Sequence, residues 1–395
     1  MILINFITLL LLLYFGWAVL YQLIFSVAGH FYRTPSPGET GQYRRIAVLI
    51  PAYREDAVIV EVARRTLEQD YPSDKYSVTV IADSLQPATL LALRELPIRV
   101  IEVAFAKSTK SKALNRTLEQ LPAEDYDIAL ILDADNEMAP GFLQRINLSF
   151  ERGASVVQGQ RMPKNLDTPM SVLDGASESI NNHILCAGHR ALGLSARLAG
   201  SGMAFDYTLF REVMPQVKAI GGFDKELELR LTRRGIAITY DAEARVLDEK
   251  VRDTEVFSNQ RSRWIQAQFS YAKIFFRPAL RSLFQSGNRD FFNKALQMWL
   301  PPRLLTPGIL GLAAGISLLL GSTSYALIWS GLLTGNLLSF ALGMPVYLFK
   351  APHRSALRQL PAAFLATLAS LLKARRAAAS FMHTPHGEQE APEKE

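Results

Sequence analysis

The sequence predicts an α/β protein built on a parallel-type sheet and flanked by transmembrane and interfacial helices. Three observations predict it. Short apolar runs (Ile46–Ile50, Tyr76–Ala82, Ile98–Val103, Ile128–Leu132) alternate with stretches of helical spacing (Val58–Leu67, Lys112–Leu121), the pattern of strands joined by crossover helices. Ile128–Leu132 is apolar without a break, as in a strand buried on both faces. Ile2–Ala28, Leu304–Leu320 and Tyr325–Phe349 carry no charged residue, and a span needs about 20 apolar residues.

The composition agrees with that division. Of 395 residues 49% are hydrophobic and 20% charged, high for a fully soluble chain. Ile2–Ala28 lacks a basic n-region and exceeds the usual apolar length of a cleaved leader, so it reads as a retained span. Leu304–Leu320 and Tyr325–Phe349 are separated only by Gly-Ser-Thr-Ser and read as a membrane hairpin. No Lys or Arg precedes the first span, whereas Arg33, Arg44 and Arg45 follow it; Arg303 precedes the hairpin, and Lys350, Arg354 and Arg358 follow it. Basic residues mark the cytoplasmic side, so a multi-pass protein of the cell (inner or plasma) membrane is expected, with the middle region cytoplasmic. The single Cys186 can form no internal disulfide, which fits a reducing compartment. The net charge of +6 calls for no nucleic acid, because basic residues beside spans meet anionic membrane lipid.

The expected organisation is an amino-terminal span (1–30), a Pro/Gly/Ser linker (31–44), a cytoplasmic catalytic domain (45–264), interfacial helices (265–302), the hairpin (303–350), a short interfacial or re-entrant helix (351–376) and a charged cytoplasmic tail (377–395). Phe275-Phe276-Arg277 and Phe291-Phe292-Asn293-Lys294 mix aromatic and basic residues as interfacial helices do.

The strand at 128–132 ends in Asp133-Ala134-Asp135-Asn136. On an extended backbone residues i and i+2 point the same way, so Asp133 and Asp135 can both face the crevice beyond the strand's carboxyl end, where open α/β sheets bind ligands. Two hard oxygen ligands suit Mg²⁺ or Mn²⁺ bridging to a diphosphate; the plainer alternative is a helix cap and a solvated carboxylate. No glycine-rich dinucleotide fingerprint follows the first strand and no Walker lysine appears, which argues against NAD enzymes and P-loop ATPases.

The segments V-L-I-P-A-Y-R-E (Val48–Glu55), I-A-D-S (Ile81–Ser84), K-S-K-A-L-N (Lys110–Asn115), L-D-A-D (Leu132–Asp135), G-S-G-M-A-F (Gly200–Phe205), G-G-F-D-K-E-L-E-L-R-L (Gly221–Leu231) and Q-R-S-R-W (Gln260–Trp264) occur in the order found in glycosyltransferase family two. The chain resembles its membrane-anchored, processive-type branch, which includes cellulose, hyaluronan and chitin synthases. The resemblance implies a nucleotide-diphospho-sugar transferase (GT-A-like) domain, a UDP-linked nucleotide-sugar donor, Mg²⁺ or Mn²⁺ as cofactor, and a glycan or glycolipid acceptor.

It also implies site residues. Ala52, Tyr53, Glu55 and Asp83 stand where the family holds base and ribose, and Lys112 and Asn115 match K-A-L-N near the donor. Asp135 becomes a metal ligand, with Asp133 toward the ribose or the metal. Register from Leu229-Arg230-Leu231 puts Asp224 at the catalytic base and Glu226 at the following acidic position, with Glu226 the alternative because Phe223 stands where the family commonly has glutamate. Gly202 and Met203 belong to the acceptor loop. Gln260, Arg263 and Trp264, at i, i+3 and i+4, share one helical face toward diphosphate and acceptor. Gln158 and Arg161 are expected to line the same cleft, and His183 and His189 to be structural. Competing expectations are a polyprenyl-phosphate sugar transferase and a catalytically silent scaffold subunit of a synthase. A polymer product would call for an oligomer, synthase subunits or a separate exporter.

Overall fold

The structure is a computed structural model describing residues 2–36, 38, 40–219 and 221–373; the tail expected at 377–395 lies outside them. After the long apolar helix α1 (Ile2–Gly29), the chain alternates β1 (Ile46–Tyr53), α2 (Ile59–Thr66), β2 (Tyr76–Asp83), α3 (Pro87–Arg94), β3 (Arg99–Val103), α4 (Lys110–Gln120) and β4 (Ile128–Ile131). These four strands are parallel, in the order β3-β2-β1-β4. Then come β5 (Glu137–Met138), α5 (Phe142–Glu151), β6 (Val156–Pro163) and α6 (Pro169–Asn181), which runs through a π-helical turn (Asn182–Gly188) into the short α7 (His189–Ala191). β7 (Met203–Asp206), α8 (Tyr207–Val213), α9 (Phe223–Arg233) and β8 (Thr239–Asp248) complete the sheet.

The second half of the sheet corrects the parallel expectation. β7 pairs antiparallel with both β4 and β6, β8 runs parallel to β6, and β5 closes the edge antiparallel to β8. The sheet is therefore mixed. The period of two along β1 sorts its apolar residues between two cores. Ile46, Val48 and Ile50 pack with α2 and α5 through Val62, Phe142 and Ile146; Ala47 and Leu49 pack with α4 and α9 through Leu114, Leu118, Leu227 and Leu231. Thr109 caps α4 by accepting from the Lys112 N–H, which fixes where that helix begins.

The packing of the sheet domain continues past residue 264. Gln260–Trp264 lies inside α10 (Thr254–Ser286), one helix of 33 residues, and α11 (Arg289–Gln297) follows. Phe275, Phe291 and Ala295 belong to the same core as β4. The segment expected to lie only in the interface thus closes the sheet domain on one side, and Phe269, Ile274 and Phe284 remain exposed on the other. The linker is docked as well: Arg145 and Arg152 of α5 donate to the carbonyls of Pro35 and Ser36, and Glu151 accepts from the Gln42 N–H.

α12 (Thr306–Leu319) and α13 (Thr323–Gly343) form a helical hairpin and pack on α1 through Phe15, Val19, Leu310 and Trp329. α12 has 14 residues, roughly 21 Å at 1.5 Å per residue, shorter than the hydrocarbon core. α1 and α13 are long and apolar enough to cross a bilayer, and only 28% of each is buried, unlike the core helix of a globular domain. Two 3₁₀ segments (Val346–Phe349, Ala351–Gln359) lead to α14 (Leu360–Lys373), 14 residues long, which lies against α10. At its carboxyl end α1 meets the π-helical turn so closely that a Cβ on Gly188 would lie 2.0 Å from the Phe25 carbonyl oxygen. Only glycine fits there.

Candidate active site

The carboxyl ends of β1, β2 and β4 open onto one cleft of about 1090 Å³, walled on its other sides by α6, the start of α9 and α10. β1 delivers Ala52, Tyr53 and Glu55 to it, and β2 delivers Asp83, whose Oδ1 accepts from the Ser84 hydroxyl at 3.0 Å. Arg54 and Ser84, directly after Tyr53 and Asp83, have φ of 56° and 60°. Non-glycine residues rarely adopt that conformation, and strain of this kind collects at functional sites.

Asp133 and Asp135 both line the cleft, but from a turn beyond the end of β4, closed by the Asn136 N–H donating to the Asp133 carbonyl, and not from the extended backbone expected; Ala134 between them lines it too. The Asp133 N–H donates to Ser201 Oγ, and its carboxylate pairs with the Lys110 ammonium, which also donates to the Gly200 carbonyl at 2.8 Å and lies 5.0 Å from the Phe223 ring centroid. Lys110 therefore corrects Lys112, whose Nζ donates to the Lys107 carbonyl outside the cleft. Asn115 also lies elsewhere, its Nδ2 donating to the Met214 carbonyl. The Thr109 cap could have found this, since it places Lys110, not Lys112, at the first helical position.

Asp135 is 5% exposed and accepts from Asn136 Nδ2, which also donates to Asp248 Oδ1. Asn136 Oδ1 is buried without a protein partner. Asp248 is the hub of a buried ionic cluster: it pairs with Arg161 and Lys250, Lys250 lies 3.6 Å from Glu178, and Glu178 accepts from Arg197. Burial alone would raise these carboxylates, but the Arg161 and Lys250 charges outweigh it, holding Asp248 well below the usual range and Glu178 at about 2. Asp174, Glu178, Arg197 and Lys250 carry no sequence motif. Gln158 does not reach the cleft; its amide holds the Gly159, Ser201 and Ala199 backbone together.

Gly202 and Met203 are a second correction. The Gly202 N–H donates to the Ile131 carbonyl and Met203 is fully buried in the core, so they join β7 to β4 and only Gly200 of that loop lines the cleft. Across α9 the two acidic candidates differ. Glu226 is 5% exposed; Oε1 accepts from Nε and Nη2 of Arg230 at 2.8 and 2.6 Å, and Oε2 accepts from the Lys218 N–H. Asp224 is half-buried on the cleft wall, and among the described residues no hydrogen bond or ion pair occupies its carboxylate. It sits in the first turn of α9, whose N-cap is Gly222 at φ 64°. Beside it, burial pushes the Lys225 ammonium down to about 8, with Asp224 partly opposing the shift.

Gln260, Arg263 and Trp264 all line the cleft from α10. Arg261, not singled out from the sequence, lies 4.7 Å from the ring centroids of both Phe257 and Trp264 and donates to Asp174 at 2.9 Å. His189 is enclosed between Tyr21, Gln297 and a stacked Phe25 ring, and His183 bonds the Ser26 carbonyl; both tie α1 to the domain.

Known proteins resemble this arrangement. Residues 44–267, more than half of the chain, match the family described as glycosyltransferase like family 2. The chain is 26% identical over 282 residues to the beta-monoglucosyldiacylglycerol synthase of Trichormus variabilis, covering 67% of this chain and 58% of that protein. It is 24% identical over 243 residues to the probable glycosyltransferase YdaM of Bacillus subtilis, covering 56% and 54%. It therefore spans less than two thirds of the length of these relatives, and neither name is that of a cellulose, hyaluronan or chitin synthase. Among solved structures the mannosyltransferase PcManGT of Pyrobaculum calidifontis, in complex with GDP-Man and Mn²⁺, shares the fold, with a TM-score of 0.58 and 19% identity over 91% of this chain and 95% of that one. By the match across its sheet domain, the chain belongs to glycosyltransferase-like family 2.

Proposed function

We propose that this protein transfers a sugar, with inversion, from a UDP-linked nucleotide sugar to a glycolipid or polysaccharide acceptor at a membrane face. The observation that carries the reading is the convergence of Asp83, Asp133, Asp135, Asp224 and Trp264 on one cleft. The glycolipid synthase among the relatives supports a lipid acceptor.

In this reading Tyr53 covers the base, and Glu55 and Asp83 accept from base N–H and ribose hydroxyl groups. Asp133 and Asp135 present hard carboxylate oxygens to the cleft, a donor type that fits Mg²⁺ or Mn²⁺. Among the described residues no group of three His, Cys, Asp or Glu is gathered for a metal, so the protein residues that would hold the ion are Asp133 and Asp135. The ion, when bound, neutralises charge on the departing diphosphate. Asp224 accepts the proton of the acceptor hydroxyl as its oxygen bonds to the anomeric carbon. The bond from that carbon to the diphosphate breaks, and its electron pair leaves with the nucleoside diphosphate. Gln260 and Arg263 donate to the diphosphate, and Trp264 floors the acceptor site.

We place α1 and α13 across the bilayer. Leu13, Leu20, Leu312, Leu327 and Leu337 expose half or more of their surface, an apolar belt that lipid would cover. The cytoplasmic orientation of the domain rests on Arg33, Arg44 and the basic residues after α13. Arg303 leaves that argument, because it lines the cleft.

The test is UDP release in sealed membrane vesicles of both orientations, with nucleotide sugars added one at a time. One or a few UDP-sugars should be consumed, and only by inside-out vesicles. Release from right-side-out vesicles alone would reverse the topology. No release from any nucleotide sugar, even after detergent, would overturn the transferase reading in favour of a silent scaffold.

A further inference from the structure

Acidic and basic side chains line the cleft in nearly equal number, so an arginine there that meets no carboxylate stands out. Arg197 and Arg261 also line it, but each is committed to a carboxylate, Glu178 and Asp174. Arg303 is not. Among the described residues it makes no ion pair, and its Nη1 is buried without a hydrogen-bond partner, as is the Nε of Arg261. Burial, with Arg197 and Arg261 close by, pushes Arg303 down to about 9. A guanidinium held in this way is costly unless an anion meets it.

The position of Arg303 says what kind of anion. Pro301-Pro302-Arg303 immediately precedes α12, whose Leu312 and Ile316 are exposed. The same cleft is lined by Tyr21 and Gln22 of α1, Leu304 and Thr367 of α14. Polar and apolar walls therefore meet at Arg303, where an amphiphile would lie with its head in the cleft and its body along the helices. A planar guanidinium beside two others matches the oxygens of a phosphate.

We infer that the acceptor is a lipid whose head carries a phosphate beside the hydroxyl that is glycosylated, and that Arg303, flanked by Arg261 and Arg197, holds that phosphate. The inference rests on the transferase reading and names its acceptor class. It departs from the uncharged diacylglycerol in the name of the relatives.

Full-length protein in detergent is titrated with fluorescently tagged dioctanoyl phosphatidic acid, with equally tagged dioctanoylglycerol as the neutral twin, and separately with UDP and Mn²⁺. Wild type should bind the phosphatidic acid about ten- to a hundred-fold more tightly than the neutral lipid, the range of a charged hydrogen-bonded contact. Arg303→Gln should erase that difference, Arg303→Lys should keep most of it, and UDP affinity should be the same in all three. Equal binding of both lipids by wild type would overturn the inference. So would an Arg303→Gln variant that loses UDP as strongly as lipid, which would assign the residue to the donor. Displacement of the tagged lipid by inorganic phosphate as readily as by untagged dioctanoyl phosphatidic acid would overturn the lipid assignment in favour of a soluble anion. Absence of UDP binding by wild type, with phosphatidic acid still preferred, would overturn the transferase reading and leave the phosphate site standing.

Discussion

Asp224→Asn is expected to lower sugar transfer by about a hundred- to ten-thousand-fold, the usual contribution of a general base, while UDP binding survives. The amide keeps the shape of the side chain and cannot take the proton. The argument for Asp224 over Glu226 is one of occupied oxygens. Arg230 and the Lys218 N–H already use both oxygens of Glu226, whereas the Asp224 carboxylate is open to the cleft. Glu226→Gln should therefore act mainly on stability, by about 1–3 kcal/mol for weakened charged hydrogen bonds, with a smaller effect on turnover. Steady-state transfer and UDP titration on both variants check this. A dead Glu226→Gln beside a nearly normal Asp224→Asn would move the base by two residues.

The second large effect is on folding. Asp248→Ala removes the shared anion between Arg161 and Lys250, leaving two buried cations to Glu178 alone. Breaking a buried pair from one side costs about 3–5 kcal/mol, so thermal unfolding in detergent should shift down on the order of 10 °C. A shift under about 1 kcal/mol would show that water reaches the cluster. The same cluster sets an acid limit. Glu178 is held at about 2 in the folded protein against an ordinary 4.5, so the folded state binds fewer protons between those values. Its contribution is complete above about pH 4.5 and is lost as pH falls toward 2.

The parallel half of the sheet was legible because each strand is an apolar run followed by a polar loop; Asp133 and Asp135 reach the cleft, though from a turn and not from the extended backbone the reading assumed. The antiparallel β7 was not legible, because G-S-G-M-A-F carries no turn signal that separates a returning strand from a loop. The same ambiguity misplaced Gly202 and Met203. K-A-L-N pointed to Lys112 and Asn115, but with Thr109 capping α4 it is Lys110, at the first helical position, whose ammonium reaches Asp133. The packing beyond residue 264 was hidden for a different reason: aromatic residues interleaved with basic ones look interfacial whether they face lipid or a core, and Phe275 and Phe291 face the core. Asp174 and Glu178 share α6, but Arg197 and Lys250 come from other parts of the chain, and only the closed fold brings their charges together.

The central claim is that Asp133 and Asp135 work with a divalent ion to release a nucleoside diphosphate. Its most direct test is UDP release by purified full-length protein from the UDP-sugar that the vesicle screen identifies, measured with Mn²⁺, with Mg²⁺ and in excess EDTA, for wild type and Asp135→Ala. Wild type should turn over with either ion or both, stop in EDTA and recover when the ion is restored, while Asp135→Ala stays inactive with its thermal unfolding nearly unchanged. Full turnover by wild type in EDTA, or normal turnover by a folded Asp135→Ala, would contradict it.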